Sequence, residues 1–475
     1  MKQSSVIVGF GLTWFMLMAH GAPEPAVCKG GMPGMQAHRI EASVFNGRAY
    51  VYEAGREHTR SVMLVHGVGD AGACDYRVQI PRLARSYHVI AVDLPGFAQS
   101  DKTNAAYSPA NYAVFLKQVA DRFARRPFTL VGHSMGGVVS LRYAALFPKD
   151  LERLVVVDTP GILHRHAYTG QYLAYLGLGF LQTKMASSSA GESFGKAAEP
   201  MAREKFVDLA GIILGRVEQK NIDPEMILSI PPLRDRLLQG DPTRIAGLAA
   251  AMENMSRDIP AIETETLVIW GKQDTLAPLR TGKLLAHVLP RAQLTVIEGA
   301  AHVPMLEAAD RFSAVLEAFL EHGLTPPPKG KAEMKKRGAE KCTARSGAVY
   351  EGEYDSLTLS GCQGARISNA RIRELRLTDS SVVIEDSDIG GGDVGLHASN
   401  ATVEMTNGRI HGEIAIVAYG SRLDLAGVQV EGRRAAVEAQ APLVSSVVFS
   451  ISRVRSPYTD AAVHGYYTVA NGKPL

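Results

Sequence analysis

The sequence predicts an α/β unit built on a doubly wound, mostly parallel sheet, followed by an all-β region that forms a right-handed parallel β-helix. Three observations carry this prediction. Short apolar runs alternate with helical patterns over residues 38–322. A Pro- and Lys-rich segment, which we interpret as a linker, follows at residues 323–341. Beyond it, short strand-like runs recur with a period of about 20 residues, which is typical of stacked coils.

Six runs in the α/β part are almost entirely apolar, as expected for strands covered on both faces. They are Ser61–His66, His88–Asp93, Phe128–Val131, Leu154–Val157, Thr266–Trp270 and Leu294–Ile297. Segments with helical spacing separate them, and this alternation predicts βαβ crossovers. Residues 161–260 are too long for a simple crossover. We therefore expect them to form a helical cap inserted over the carboxyl edge of the sheet.

The C-terminal repeat is read from strand-like runs that begin at residues 381, 401, 422 and 442. Matching apolar positions recur later in each unit, at Ile389, Ile410, Val430 and Ile451, and alanines recur at Ala398, Ala418 and Ala439. A single rung cannot bury its apolar face, so stacked rungs must form one continuous core. These patterns predict a β-helix over residues 342–456 and a tail over 457–475. A leucine-rich repeat fits less well, because its leucine framework is absent.

The N-terminus resembles an export signal. Lys2 precedes the apolar run Val6–Met18, and small residues follow at 19–22, so residues 1–22 are predicted to be a signal peptide. A retained anchor and a buried core helix are the alternatives. An exported protein would be periplasmic or secreted, in an oxidising compartment.

Four cysteines are present, Cys28, Cys74, Cys342 and Cys362, and they allow three connectivities. An exported chain is expected to pair them. Proximity and the repeat favour Cys342 with Cys362, since one period separates them and neighbouring strands lie at disulfide distance. This choice leaves Cys28 to pair with Cys74.

Charge is nearly balanced, at a formal +3 for the 475 residues. Residues 325–341 carry six Lys or Arg against two Glu. This segment is interpreted as a solvated spacer or as a contact with an anionic envelope surface. Nucleic-acid binding is not expected, because the composition offers no broad basic face.

The strongest chemical motif is Gly132-His133-Ser134-Met135-Gly136, which directly follows an apolar run and directly precedes a helical one. The pattern G-x-S-x-G requires small residues on both sides of the serine, because the chain turns sharply from strand to helix. The serine is thereby exposed at the strand's end. We predict that Ser134 is a nucleophile.

A serine hydroxyl needs a base, and the base needs a group that orients it. Asp274 and His302 follow the fifth and sixth apolar runs, in the chain order Ser, Asp, His. Both lie where open α/β sheets place their sites. Asp158, after the fourth run, is the alternative acid.

An oxyanion hole requires backbone N–H groups directed at the developing negative charge. The N–H of Met135, just after the nucleophile, is one candidate. Val68, in the turn His66-Gly67-Val68-Gly69 after the first run, supplies the other. An ordinary turn is the alternative interpretation of that segment.

Together these motifs resemble the α/β-hydrolase fold family, in its capped branch. The matching segments are His66-Gly67, Asp93-Leu-Pro-Gly96 with Ser100-Asp101, the turn at Ser134, Gly271–Asp274 and Gly299–Pro304. Ala98 departs from the glycine that relatives often carry after Pro-Gly-x. The resemblance implies hydrolysis of carboxylic esters or related acyl bonds. Ser134, in place of an aspartate, argues against dehalogenase and epoxide hydrolase chemistry.

These predictions describe an exported serine hydrolase that is carboxylesterase- or lipase-like. Its expected substrate is a hydrophobic small-molecule or lipid ester, and no metal or organic cofactor is expected. The sequence is also compatible with two other functions. The same residues could transfer an acyl group to an alcohol, as an acyltransferase. Alternatively, the chain could be a non-catalytic protein that binds envelope or glycan through the β-helix.

Overall fold

A computed structural model describes most of the chain. It covers Cys28, Met32 and residues 34–164, 166–167, 230–238, 240–325, 334–440 and 442–470. These described residues divide into two compact units, the first lying within residues 1–161, 169–282 and 291–325 and the second within the remainder. The predicted signal peptide and most of the predicted cap lie outside the described residues.

The first unit is built on an eight-stranded sheet, in the order β1-β2-β4-β3-β5-β6-β7-β8. The strands are β1 (Gln36–Ala42), β2 (Gly47–Ala54), β3 (Ser61–Val65), β4 (His88–Asp93), β5 (Phe128–His133), β6 (Leu151–Val157), β7 (Glu265–Gly271) and β8 (Ala292–Ile297). Strands β3 to β8 pair in parallel, whereas β2 runs antiparallel to both β1 and β4. The mixed, mostly parallel sheet predicted from the apolar runs is confirmed.

Helices connect these strands. Between residues 79 and 322 the described α-helices are α1 (Gln79–Leu83), α2 (Pro109–Phe123), α3 (Met135–Leu146), α4 (Pro231–Leu238), α5 (Pro242–Met252), α6 (Leu279–Val288), α7 (Pro304–Glu307) and α8 (Ala309–His322). Helix α2 begins at Pro109 because Pro suits the first helical position, while the Ser108 hydroxyl accepts the Asn111 N–H at 3.2 Å. No helix in the described part of the chain is long and apolar enough to cross a membrane.

Burial explains why the central strands could be predicted. Every residue of β3, β4 and β5 is buried, and β6 and β7 are buried along most of their length. Side chains on both faces of these strands are removed from water, which is why the strands appear in the sequence as nearly continuous apolar runs. Because parallel strands end at the same edge, the turns after β3, β5, β6, β7 and β8 meet there.

From residue 334 onwards, the described part of the second unit is all β. Its strands are β9 (Lys336–Thr343), β10 (Val349–Ser360), β11 (Ala365–Ile372), β12 (Leu375–Thr378), β13 (Ser381–Gly390), β14 (Val394–Ser399), β15 (Thr402–Tyr419), β16 (Arg422–Ala439), β17 (Ser445–Ser456) and β18 (Thr459–Val469). All described pairings are parallel except that of β17 with β18. Apolar side chains that alternate with exposed ones along the strands form one continuous buried core.

The register corrects two parts of the predicted repeat. Ser381 and Arg422 both pair with Thr402, so the predicted start at residue 401 is one residue early. Ile389 pairs with Ile410, and Ile410 with Val430, as the sequence pattern predicts. The next partner of Val430 is Val454, whereas Ile451 was predicted. The connection between β16 and β17 is longer than the earlier ones, so Arg422 pairs with Ser446 and the predicted start at residue 442 is wrong.

Ile451 instead occupies a turn position in the left-handed region. It has φ 42°, and the equivalent position one strand earlier is a glycine, Gly427, with φ 65°. Asn407 and Asp386 hold the same turn in the preceding strands, with φ 58° and 47°. Asn and Asp tolerate this backbone conformation, but a β-branched residue rarely does. Ile451 is therefore equivalent to the turn residues Asp386, Asn407 and Gly427, and not to the buried apolar residue Val430.

Two predicted boundaries also differ from the structure. Strand β9 begins inside the predicted linker, because backbone hydrogen bonds to β10 do not depend on apolar side chains and its lysines can remain exposed. Strand β18 lies inside the predicted tail, where it turns back to pair antiparallel with β17. Its side chains are mostly exposed or half-buried, so it carries no apolar run that could reveal it.

Both predicted disulfides are confirmed, Cys28–Cys74 and Cys342–Cys362. Cys342 lies on β9 and pairs with Leu359 of β10. Cys362 follows Leu359 by three residues along the chain. The second disulfide therefore ties β9 to the turn that follows its neighbour β10, at the start of the parallel stack. It closes a loop with a sequence separation of 20 residues.

Replacing Cys342 and Cys362 together by serine is expected to lower the opening free energy of β9 and β10 by about 3 kcal/mol, because the loop is no longer closed. Hydrogen exchange of the backbone amides in these strands measures the change. Amides of β16, farther along the stack, provide an internal reference and should change less. A loss below about 1 kcal/mol in β9 would contradict this prediction.

Candidate active site

The turn between β5 and α3 holds Ser134 in a strained conformation, with φ 51° and ψ −121°. A Cβ on Gly132 would lie 2.2 Å from the Gly136 carbonyl oxygen, and one on Gly136 would lie 2.4 Å from the His66 carbonyl oxygen. No side chain fits at either position. A non-glycine residue in such a conformation costs about 1–3 kcal/mol and is typical of functional sites. The turn thus places the Ser134 hydroxyl at the carboxyl end of the sheet.

The structure brings Ser134, His302 and Asp274 together from three separate turns. The Ser134 Oγ lies 2.9 Å from His302 Nε2, and His302 Nδ1 lies 2.8 Å from Asp274 Oδ2. The imidazole is one-fifth exposed and the Asp274 carboxylate is fully buried. This network assigns the Nδ1–H tautomer to His302, which donates to Asp274 and accepts the serine proton at Nε2. The arrangement can therefore remove a proton from Ser134 and stabilise the resulting imidazolium.

Asp274 is further held by the turn that contains it. Its Oδ1 accepts the backbone N–H groups of Leu276 and Ala277 at 2.8 and 3.0 Å. Burial opposes ionisation, but the His302 imidazole and these hydrogen bonds outweigh burial and lower the pKa of Asp274. Asp274 is consequently a carboxylate.

Asp158, the alternative acid, has a different environment. It is completely buried, and its Oδ1 accepts the Gly271 N–H at 2.9 Å. Burial raises the pKa of Asp158 well above its usual range, and the adjacent Asp274 carboxylate raises it further. Asp158 is therefore a neutral carboxylic acid beside the charged one, while the hydrogen bond from His302 Nδ1 goes to Asp274.

The two residues predicted to form an oxyanion hole each adjoin the Ser134 turn, Met135 as the next residue of the chain and Val68 as the neighbour of Gly67, which packs against Ser134. Met135 is the first residue of α3, where a backbone N–H has no acceptor within the helix. Val68 follows Gly67, at which a Cβ would approach the Ser134 Cβ to 2.8 Å. The chain at Gly67 thus passes close against the serine, and only glycine allows that approach.

His66, which sequence reasoning used only as a motif residue, orients the peptide unit that carries the Val68 N–H. Its Nδ1–H donates to the Gly67 carbonyl oxygen at 2.6 Å, and its Nε2 accepts the Leu94 N–H at 2.9 Å. The C=O and N–H of a trans peptide point in opposite directions. The bond to the Gly67 carbonyl therefore turns the Val68 N–H away from His66.

Asp93 restrains the remainder of the loop that follows β3. Its carboxylate accepts the Ala73 N–H at 2.8 Å and the Tyr52 hydroxyl at 2.9 Å. Burial raises the pKa of Asp93, although the hydrogen bonds it accepts oppose that rise. The aspartate of the Asp-Leu-Pro-Gly motif therefore stabilises this loop by hydrogen bonds. These bonds do not involve the Ser134 side chain.

Replacing His66 by glutamine is expected to change how stability depends on pH. Burial lowers the pKa of His66 to about 4, whereas an unfolded histidine titrates near 6.5. As the pH falls below about 6.5 the unfolded wild-type chain binds a proton that the folded chain excludes, so stability is lost at about 1.4 kcal/mol per pH unit until about pH 4. The variant lacks this titration.

Urea unfolding of both proteins between pH 7.5 and pH 4.5 tests this. Other titrating groups are common to both chains and cancel in the difference. The stability advantage of the wild type should be constant above about pH 6.5 and should shrink below it. An advantage that is independent of pH would show that His66 is not buried in the neutral form.

The chain is similar to several known proteins. The chain is 28% identical over 274 residues to an uncharacterized protein of Mycobacterium tuberculosis, covering 55% of this chain and 75% of that one. It is 27% identical over 282 residues to Lipase 1 of Psychrobacter immobilis, covering 58% and 81% respectively. An esterase structure from Thermogutta terrifontis aligns at 22% identity and a TM-score of 0.42, over 61% of this chain and 100% of that chain.

The model of one protein family, described as the alpha/beta hydrolase family, matches residues 62–315. This match spans more than half of the 475 residues. It includes all three turns that carry Ser134, Asp274 and His302, and the parallel strands that place them. The chain therefore belongs to the alpha/beta hydrolase family.

Proposed function

We propose that this protein is a serine hydrolase that cleaves a carboxylic ester through an acyl-enzyme intermediate. The observation that carries the proposal is the line of two hydrogen bonds, 2.9 Å from Ser134 to His302 and 2.8 Å from His302 to Asp274. Such a line is the arrangement that activates a serine hydroxyl. Asp274 is proposed as the acid and Asp158 is not, because the imidazole bonds to Asp274.

In the first step the Ser134 Oγ attacks the ester carbonyl carbon while its proton passes to His302 Nε2. The negative charge that forms on the carbonyl oxygen is stabilised by the N–H groups of Val68 and Met135. The carbon–oxygen bond to the alcohol then breaks, and His302 returns its proton to the departing oxygen. An acyl ester on Ser134 remains, with Asp274 holding the imidazole throughout.

The second step repeats this sequence with water. His302 takes a proton from water, whose oxygen attacks the acyl carbon. Collapse of the second tetrahedral intermediate releases a carboxylic acid, and the proton returns to the Ser134 Oγ. An alcohol in place of water would make the same residues an acyltransferase.

We further propose that the ester has a hydrophobic acyl group. Two curated relatives are named as lipases, Lipase 1 of Psychrobacter immobilis and Lipase 3 of Moraxella, the latter 26% identical over 264 residues. The apolar content of residues 161–260 points the same way. That segment lies mostly outside the described residues.

The test uses the purified full-length protein with p-nitrophenyl acetate, butyrate and octanoate, in water and with added glycerol. We expect kcat/KM to be higher for butyrate or octanoate than for acetate, with one free acid released per p-nitrophenol. Mostly acylated glycerol would identify an acyltransferase. No turnover of any ester by folded protein would contradict the proposal, and preference for acetate would contradict the hydrophobic substrate.

Export to the periplasm or the medium is also proposed, supported by the pattern of residues 1–22 and by the two disulfides. We propose that the second unit winds as a right-handed parallel β-helix, supported by the register of its strands. Its proposed role is contact with the cell envelope. Fractionation of cells that express the full chain, with and without a high-salt wash, tests both location and contact; retention in the cytoplasm would contradict export.

A further inference from the structure

We propose that His133 is a positioning residue for the acyl-transfer reaction, which holds the backbone of His302 so that its imidazole meets the Ser134 hydroxyl. This inference rests on the proposed function. His133 is the last residue of β5 and directly precedes Ser134. Sequence reasoning placed it only as the variable residue of the G-x-S-x-G pattern.

The contact that carries the inference joins the two turns that must meet. His133 Nε2 lies 2.6 Å from the backbone carbonyl oxygen of His302, across a sequence separation of 169 residues. The two imidazole rings lie 5.1 Å apart at an interplanar angle of 53°. His133 is only 4% exposed, so water does not compete for this hydrogen bond.

The chemistry of the contact requires a neutral ring that carries its proton on Nε2, because only a donor can bond to a carbonyl oxygen. Burial, together with a smaller effect of the adjacent His302, lowers the pKa of His133 to about 3. Its Nδ1 has no hydrogen-bond partner among the described residues. This nitrogen would lie 3.1 Å from a Cβ placed on Gly67. His133 is thus a fixed donor and takes no part in proton transfer.

Other groups hold the residues just before His302, since the Ala300 carbonyl oxygen accepts the Gln273 N–H at 2.9 Å and the Ala301 N–H donates to the Glu307 side chain, and His133 holds the carbonyl oxygen of His302 itself. Residues 299–303 belong to no strand or α-helix. The side chain of His302 is held by Asp274 and Ser134, and its carbonyl oxygen by His133. A displacement of the loop by about 1 Å would misalign the imidazole, and misplacements of this size can cost about 100-fold in rate.

Three variants test the inference. His133→Leu removes the donor at similar size. His133→Gln retains an amide N–H donor with a reach similar to that of Nε2, and His133→Asn retains a donor that is too short. For the best p-nitrophenyl ester we expect kcat to fall about 10- to 100-fold in the Leu and Asn variants, with KM within about threefold. The Gln variant should recover most of the wild-type kcat.

Thermal unfolding of each variant separates positioning from stability, with kcat measured well below the unfolding midpoint. If His133→Leu does not fold, the Gln and Asn variants decide the question. Equal kcat values for these two, or a folded Leu variant with wild-type kcat, would overturn the inference. Failure of the proposed function is a different result: the wild type would not hydrolyse the esters, or would do so without Ser134.

Discussion

Replacing Ser134 by alanine is expected to lower kcat/KM for p-nitrophenyl butyrate by at least about ten-thousand-fold. The variant retains the proposed oxyanion donors, but His302 has no hydroxyl to activate. Replacing His302 by alanine should have a similar effect, because an unactivated serine is a weak nucleophile. The double variant should be no slower than either single variant, since the residues act as one unit.

Ser140 provides the matched control for the nucleophile. It lies six residues later in α3, is fully buried, and donates its hydroxyl to the Gly136 carbonyl oxygen at 2.7 Å. Ser140→Ala removes one buried hydroxyl from the same helix without touching the nucleophile. We expect it to change kcat/KM by less than about tenfold. A Ser134→Ala variant as active as the Ser140→Ala variant would contradict the assignment.

Replacing Asp274 by asparagine is expected to lower kcat by about a thousand- to ten-thousand-fold. The amide cannot stabilise the imidazolium, and it favours the wrong tautomer of His302. The same replacement at Asp158 should cost less than about tenfold, because Asp158 is already uncharged in the folded protein. Steady-state kinetics of both variants make the comparison, and the opposite ranking would identify Asp158 as the acid.

Stability should distinguish the same two residues. An unfolded aspartate ionises near pH 3.9, whereas the raised pKa keeps Asp158 protonated after folding. The folded chain therefore holds a proton that the unfolded chain releases, and wild-type stability is lost as the pH rises above about 3.9. Asp158→Asn removes this loss. Relative to the wild type, its free energy of unfolding should increase between pH 5 and pH 8, measured by urea unfolding; no relative increase would contradict the protonated state.

The fold of the first unit was largely predictable, because its central strands are buried on both faces and their sequences are nearly all apolar. Strands β1 and β2 were harder to identify. They carry polar and charged residues such as His38 and Glu53, whose Nε2 and Oε2 atoms lie 2.7 Å apart. Contacts with residues far away in the sequence make these segments strands, and a local pattern of apolar residues does not reveal such contacts.

The nucleophile turn was predictable for a local reason, since its glycines are required by contacts within a few residues of Ser134 and against His66. The choice between Asp158 and Asp274 was not local. Both follow buried strands, and only the three-dimensional arrangement gives one of them the imidazole bond and the other a proton.

The role of His133 depends on a partner 169 residues away, so the motif alone could not reveal it. In the second unit, the apolar positions Ile389, Ile410 and Val430 predicted the register of β13, β15 and β16 correctly, although the predicted start at residue 401 was one residue early. The pattern failed at β17, where a longer connection shifts the partner of Val430 from Ile451 to Val454. A periodic pattern predicts register only while the connections keep their length.

Covalent labelling tests the central claim most directly, since that claim is that the Ser134 Oγ becomes acylated. The full-length protein is treated with a p-nitrophenyl alkylphosphonate, and intact-mass and peptide mass spectrometry follow. We predict one phosphonyl group per chain, located on Ser134, and none in Ser134→Ala. A wild-type protein that hydrolyses p-nitrophenyl butyrate but acquires no adduct, or acquires it on another residue, would contradict the account.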